Sequence, residues 1–382
     1  MPPHGPDRRW RRVAVAAAVA GGITLLAAIG AAFIRIPYYT LAPGSVRSTE
    51  SLIDAETEFF GGEGDVYFTT VSVRGKITPW GALAAWLDPA VDVVPESMVL
   101  NGRSPSENRE VNLQLMNNSK DLAVQVAMEH LGYDVASPVA AVVDSVLEGS
   151  AADGVLERGD VILAVDGERV EESIDVVELI GTFEPGDVVE LLLRPVELDQ
   201  ELLAEAAGDV GDAEVPLDDD RLETVTVELG TNPEEPARPL LGIAVETRYD
   251  FEYPYEVDID SGSVGGPSAG LAFTLGILDV LTPGELTGGD VVAVTGTINA
   301  DGRVGPIGGV AQKAAAVRRE GIDVFLVPDS LPDSEVSQAR SLAGDEVEII
   351  EVATLDDALA ALDTLGGNGL ALDAPDVDGP TS

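Results

Sequence analysis

Two segments of this 382-residue chain hold side chains whose types and spacing could do chemistry. The first is Ser261-Gly262-Ser263-Val264-Gly265-Gly266-Pro267-Ser268-Ala269-Gly270, which leads into a helical run with apolar positions at Leu271, Leu275, Leu278 and Leu281. Pro267 suits the start of a helix. Ser268 is therefore expected at a helix N-terminus, where unpaired N–H groups and the dipole favour negative charge. A nucleophile whose reaction generates an oxyanion is well placed there, but so is an N-capping serine. The second segment begins at Thr295-Gly296-Thr297-Ile298. It continues through Gly302-Arg303-Val304-Gly305-Pro306-Ile307-Gly308-Gly309-Val310-Ala311-Gln312-Lys313, a glycine-rich loop entering a helix. Arg318 and Arg319 fall in the last turn of that helix and Gly321 stops it, as dipole and capping rules prefer. Lys313, in the first turn or so, runs against the same rules. It is also one of only three lysines, with Lys76 and Lys120, in a chain that otherwise uses arginine. Arginine cannot act as a base near neutral pH, whereas a desolvated lysine at a positive helix end can lose its proton. A surface charge is the plain alternative for a lone lysine.

Composition narrows the chemistry further. There are 68 acidic and 22 basic residues, a formal net charge of −46, no cysteine, and two histidines, His4 and His130. The lack of cysteine removes disulfide scaffolds, thiolate metal sites and cysteine nucleophiles. The charge argues against nucleic acid as a partner. With so few histidines, a Ser–His triad or a multi-histidine metal site is unavailable, and His130 reads as structural. The acidic excess reads mainly as a solvated surface suited to salt, with repulsion of acidic partners or loose capture of cations as the other reading. Glu256, Asp258 and Asp260 alternate on one strand face and could hold a metal. In a chain this acidic, such a face more simply meets solvent, and no metal or cofactor is expected.

The elements that position these residues follow from patterning. Arg8, Arg9, Arg11 and Arg12 precede an uncharged run over residues 13–34, with a single Arg35 after it. As a helix this run would reach about 33 Å, enough for a hydrocarbon core of roughly 30 Å. It is longer than the apolar part of a cleaved signal peptide. The arginines place residues 1–12 in the cytoplasm and the rest outside. Residues 66–73 read as a strand, and residues 82–87 and 122–131 as helices. Nine acidic residues and no basic one lie between Asp199 and Asp220. They lack calcium-loop spacing and read as a solvated insertion.

From about Val139 the order strand, short turn, strand, helix, strand recurs, with Leu156-Glu157-Arg158-Gly159-Asp160-Val161-Ile162 followed by Val165-Asp166-Gly167. This resembles a PDZ domain and implies binding of an extended peptide by strand addition. Leu131-Gly132-Tyr133 only partly matches the usual carboxylate-binding loop. Gly266-Pro267-Ser268-Ala269-Gly270 and Pro306-Ile307-Gly308-Gly309-Val310-Ala311-Gln312-Lys313 resemble the two signature segments of Lon proteolytic domains, over about residues 240–362. That resemblance implies a serine nucleophile at Ser268 and a lysine general base at Lys313. Gly265 stands where Lon commonly has Asp, so the resemblance implies no auxiliary carboxylate at that position. No Gly-x-x-x-x-Gly-Lys-Ser/Thr loop occurs in the sequence, so no ATPase module is expected.

Anchor, PDZ-like module and Lon-like domain in this order resemble a family of bacterial membrane-anchored, PDZ-containing Lon-like serine proteases. The expected fold is α+β multidomain: a transmembrane helix, a PDZ-like β-rich module and a Lon-type proteolytic α+β domain. The expected divisions are 1–12 basic tail, 13–34 anchor, 36–132 N-terminal α+β region, 133–197 PDZ-like, 198–238 acidic insertion and linker, 239–365 proteolytic, and 366–382 disordered tail. The resemblance implies an ATP-independent endopeptidase at the cell membrane, with its catalytic domain outside, acting on flexible or unfolded protein substrates. It also makes a homo-oligomer plausible. The alternative is an inactive surface adaptor that binds peptides through its PDZ-like module.

Overall fold

The computed structural model describes residues 8–57, 59–206 and 215–368. Much of the expected tail, residues 369–382, and the first seven residues lie outside that description. Two compact units emerge, one formed by Met1–Tyr133 with Tyr255–Ser382, the other by Asp134–Pro254. The expected division into a separate region 36–132 and a proteolytic domain 239–365 does not coincide with these units. The N-terminal strands are built into the same sheet as the C-terminal ones, and the second unit is an insertion in sequence.

The first unit is organised on a six-stranded sheet. Its order is Glu348–Val352, Val324–Pro328, Val291–Val294, Asp65–Arg74, Tyr38–Ser48 and Asp92–Pro95. The first four strands run parallel to one another, and Tyr38–Ser48 pairs antiparallel with both Asp65–Arg74 and Asp92–Pro95. Successive side chains of Asp65–Arg74 point to opposite faces, and this decides where the helices sit. Phe68 packs on Phe273 of helix Gly270–Leu281, ring centroids 5.5 Å apart. Its neighbour Tyr67 instead joins the core containing Val310, Ala314 and Val317 of helix Val310–Glu320. The two helices that follow the signature segments therefore cover opposite faces of the sheet. Every residue of Gly270–Leu281 is buried, which explains why its sequence is apolar all round rather than on one stripe.

Helix Pro105–His130 packs against Gly270–Leu281. The expected helix over 122–131 is only its last part. Its polar, asparagine-rich first half hid the rest, although Ser104 and Glu107 form a complete capping box. At the two ends of the insertion, Tyr133 and Tyr255 meet edge-on with centroids 6.3 Å apart.

The arginine-led run forms helix Arg8–Ala31, and its apolar residues Val13, Ile23, Leu26 and Ile29 are more than half exposed. Among the described residues no helix is long and apolar enough to cross a membrane, so the expected span over 13–34 is corrected. The helix stops at Ala31, and its uncharged part, residues 13–31, reaches only about 28 Å against a core of roughly 30 Å.

The inserted unit is an antiparallel sheet in the order Ile243–Phe251, Ala136–Val146, Val161–Val165, Val188–Arg194, Glu223–Glu228, with helix Ser173–Gly181. The segment expected as a linker over 198–238 is thus partly structural. It contributes helix Val196–Glu205 and an edge strand, while residues 207–214 lie outside the described part. Asp199, read as part of a solvated acidic run, is 3% exposed. It accepts hydrogen bonds from Arg194 Nη2 at 2.9 Å and from Arg248 at 2.6 and 2.9 Å. Removing one partner from a buried ion cluster leaves an uncompensated charge, at a cost of about 3–5 kcal/mol. Asp199→Ala is therefore expected to destabilise the inserted unit by about that amount in denaturant unfolding followed by a probe within it. A loss below about 1 kcal/mol would show the cluster to be solvated.

Candidate active site

Loop and helix together place Ser268. Gly266 has φ of 95°, a left-handed conformation that favours glycine, and its N–H donates to Asn112 O at 2.8 Å. Ser119 Oγ donates to Pro267 O at 3.0 Å. A Cβ on Gly270 would come within 2.9 Å of Ser119 Oγ and 3.0 Å of Ile298, so only glycine lets the helix start so close to its neighbours. The Ser268 carbonyl accepts from Gly296 N–H and from Thr295 Oγ1, both at 3.0 Å. The helix begins at Gly270 with Ala269 as N-cap and no side-chain capping bond. Ser268 is thus not a cap, and its hydroxyl is directed elsewhere.

That hydroxyl meets Lys313. Lys313 Nζ lies 2.7 Å from Ser268 Oγ and donates to Thr295 Oγ1 at 2.8 Å. Thr295, wholly buried, sits just after strand Val291–Val294. Its own proton goes to the Ser268 carbonyl, so it can only accept from the lysine. This orientation leaves the lysine lone pair for the serine hydroxyl. Lys313 is 2% exposed, and burial, which disfavours the charged ammonium, lowers its pKa from 10.5 to about 7. Gln312, on the same turn, donates to Asp92 Oδ2 at 2.8 Å and pins the helix to the edge strand. Both expected site residues are therefore brought together, although they lie 45 positions apart in the chain.

Beside the pair lies a groove of about 900 Å³ whose walls include Val46, Phe68, Val71, Met116 and Val264. Several of these come from strands Tyr38–Ser48 and Asp65–Arg74, which sequence reading had not attached to the site. The sequence marks Thr295 only as a polar residue closing the run Val291-Val292-Ala293-Val294. His130 stands apart from Ser268 and Lys313, on a surface near Asp356. Glu256, Asp258 and Asp260 are exposed, and no cluster of carboxylates and histidines fit for a metal exists among the described residues.

Residues 251–364 match the Lon protease (S16) C-terminal proteolytic domain, and residues 142–195 match a PDZ domain. The chain carries a Lon-type proteolytic domain and a PDZ domain. The first belongs to a serine peptidase family that works with a Ser–Lys dyad. Among curated relatives, the Lon protease of Campylobacter concisus is 33% identical over 117 residues, covering 30% of this chain and 14% of that protein. That of Azospirillum brasilense is 40% identical over 94 residues, covering 25% and 11%. That of Chloroflexus aurantiacus is 29% identical over 194 residues, covering 46% and 21%. The chain therefore spans about a fifth or less of the length of these relatives. Among solved structures, the PDZ domain of an SdrC-like protein from Listeria monocytogenes is similar at 20% identity, covering 30% of this chain and 93% of that one. Its TM-score of 0.20 is too low to carry an argument.

The depressed lysine pKa fixes a pH dependence. Below about 7 the amine is charged and cannot take the serine proton; above it the neutral base dominates. Ester hydrolysis is expected to rise with pH along a single ionisation near 7. Lys313→Arg, charged throughout, is expected to lose at least about a hundredfold. A rate independent of pH between 5 and 9 would contradict the assignment.

Proposed function

We propose that the protein is a membrane-attached, ATP-independent serine endopeptidase that cleaves flexible or unfolded protein segments outside the cytoplasm. The observation that carries this reading is the 2.7 Å approach of Ser268 Oγ to an amine buried without a counter-charge. Lys313 takes the serine proton as Ser268 Oγ attacks the peptide carbonyl carbon. The N–H groups at the start of helix Gly270–Leu281 face negative charge favourably and suit the developing oxyanion. The ammonium of Lys313 then gives its proton to the leaving amine, and the acyl ester is hydrolysed by water activated in the same way.

The remaining parts of the reading rest on the sequence and the PDZ match. The apolar residues of helix Arg8–Ala31 stand exposed behind a group of arginines, which supports attachment to a membrane surface. No Walker-type loop occurs in these 382 residues, which supports independence from ATP. Substrates would then need to be already unfolded. The PDZ unit supports capture of extended peptides by strand addition, and a homo-oligomer is consistent with the Lon-type domain. The reading as an inactive adaptor is disfavoured by the serine, lysine and threonine being held in working order.

Detergent-solubilised protein is expected to degrade an unfolded protein without added ATP, and Ser268→Ala to abolish this while retaining the fold by circular dichroism. Degradation that survives Ser268→Ala, or that requires ATP, would overturn the proposal.

A further inference from the structure

Buried polar side chains in folded proteins almost always have a hydrogen-bond partner. Thr69 does not. It is 2% exposed, and its Oγ1 has no partner in the structure. Of the buried side-chain atoms in this position among the described residues, Thr69 Oγ1 is the one belonging to a residue that lines the groove beside Ser268 and Lys313.

The adjacent threonine shows what a structural role looks like on the same strand. Thr70 Oγ1 accepts from Ser45 N–H at 2.8 Å and donates to Ser45 O at 3.1 Å. It thereby holds the irregularity between Pro43 and Val46 in the paired strand. Thr69 faces the other way, opposite Val46, toward the side of the sheet covered by the lysine-bearing helix. Val46 and Val71 lie beside it in the groove wall, which also carries Ser45, Arg47 and Ser72. None of these groups bonds the Thr69 hydroxyl. Ser268, Lys313 and Thr295 satisfy one another.

We propose that Thr69 is a substrate-contacting residue, its hydroxyl hydrogen-bonding the main chain of a peptide lying in the groove. This rests on the endopeptidase reading above and extends it to a residue outside the segment that matches the Lon-type domain. A hydroxyl both donates and accepts, so it can meet a peptide carbonyl or N–H whatever the side chains are. That chemistry suits unfolded segments of varied sequence, recognised by backbone rather than by a particular residue.

The test compares two reactions of the full-length protein in detergent. One is hydrolysis of an extended peptide that fills the groove. The other is covalent labelling of Ser268 by a small phosphonate that does not reach along it. Thr69→Val, nearly isosteric, is expected to lower kcat/KM for the peptide about tenfold or more. Phosphonate labelling and the thermal midpoint should stay at wild-type levels, and Thr69→Ser should restore most of the peptide activity. If the valine variant does not fold, Thr69→Ala serves for the same comparison. Wild-type kcat/KM in the valine variant would overturn the inference. So would an equal loss of labelling, because Thr69 would then act on the Ser268–Lys313 pair and not on substrate. A wild-type protein inert to both peptide and phosphonate would overturn the endopeptidase reading itself, which separates the two failures.

Discussion

Everything in the site depends on an uncharged amine at Lys313. In water a lysine near neutral pH is an ammonium ion and has no lone pair to offer a serine. Here the side chain is almost wholly buried, and desolvation alone brings its pKa to about 7. The 46 excess negative charges of the chain would favour the ammonium if they acted at this point. Most carboxylates stand in water, however, where screening over about 10 Å removes their influence. Thr295 completes the arrangement. By giving its proton to the Ser268 carbonyl and accepting from Lys313, it sets the direction of both hydrogen bonds.

Such a burial cannot be built by two loops and two helices alone. The N-terminal segment supplies the enclosure. Phe68 packs on Phe273 of the helix that follows Ser268, Asp92 holds the turn that carries Lys313 through Gln312, and Asn112 and Ser119 hold the loop around Ser268. The proteolytic unit is therefore discontinuous, with the PDZ unit inserted between its halves. This division explains why the family match, residues 251–364, covers Ser268 and Lys313 but not the N-terminal strands that line the groove beside them.

The proximity of Ser268 and Lys313 was legible in the sequence because the pair obeys local rules and breaks one. Glycine-rich loops preceding helices, and a lysine where dipole rules disfavour it in a lysine-poor chain, are visible without knowing the fold. The strands of the PDZ unit were legible for a similar reason, since alternation and the Asp166-Gly167 turn are short-range signals. Long-range pairing was not. Asp199 looks solvated in an acidic run, and its partner Arg248 is 49 residues away. Thr69 and Thr70 are alike in sequence and differ only in which strand face they occupy. The first half of helix Pro105–His130 lacked an apolar stripe because its role is to hold a loop, not to fill a core. The end of the N-terminal helix at Ala31 was hidden because the apolar composition continues past it.

The most direct measurement is the titration of the Lys313 side chain itself. The chain has only three lysines, so selective carbon-13 labelling of lysine gives few enough signals to follow singly, and Lys313→Arg assigns the one that matters. The Lys313 signal is expected to titrate near pH 7 in the resting protein. A Lys313 amine that keeps its proton up to the ordinary lysine value of about 10.4 would contradict its role as the base.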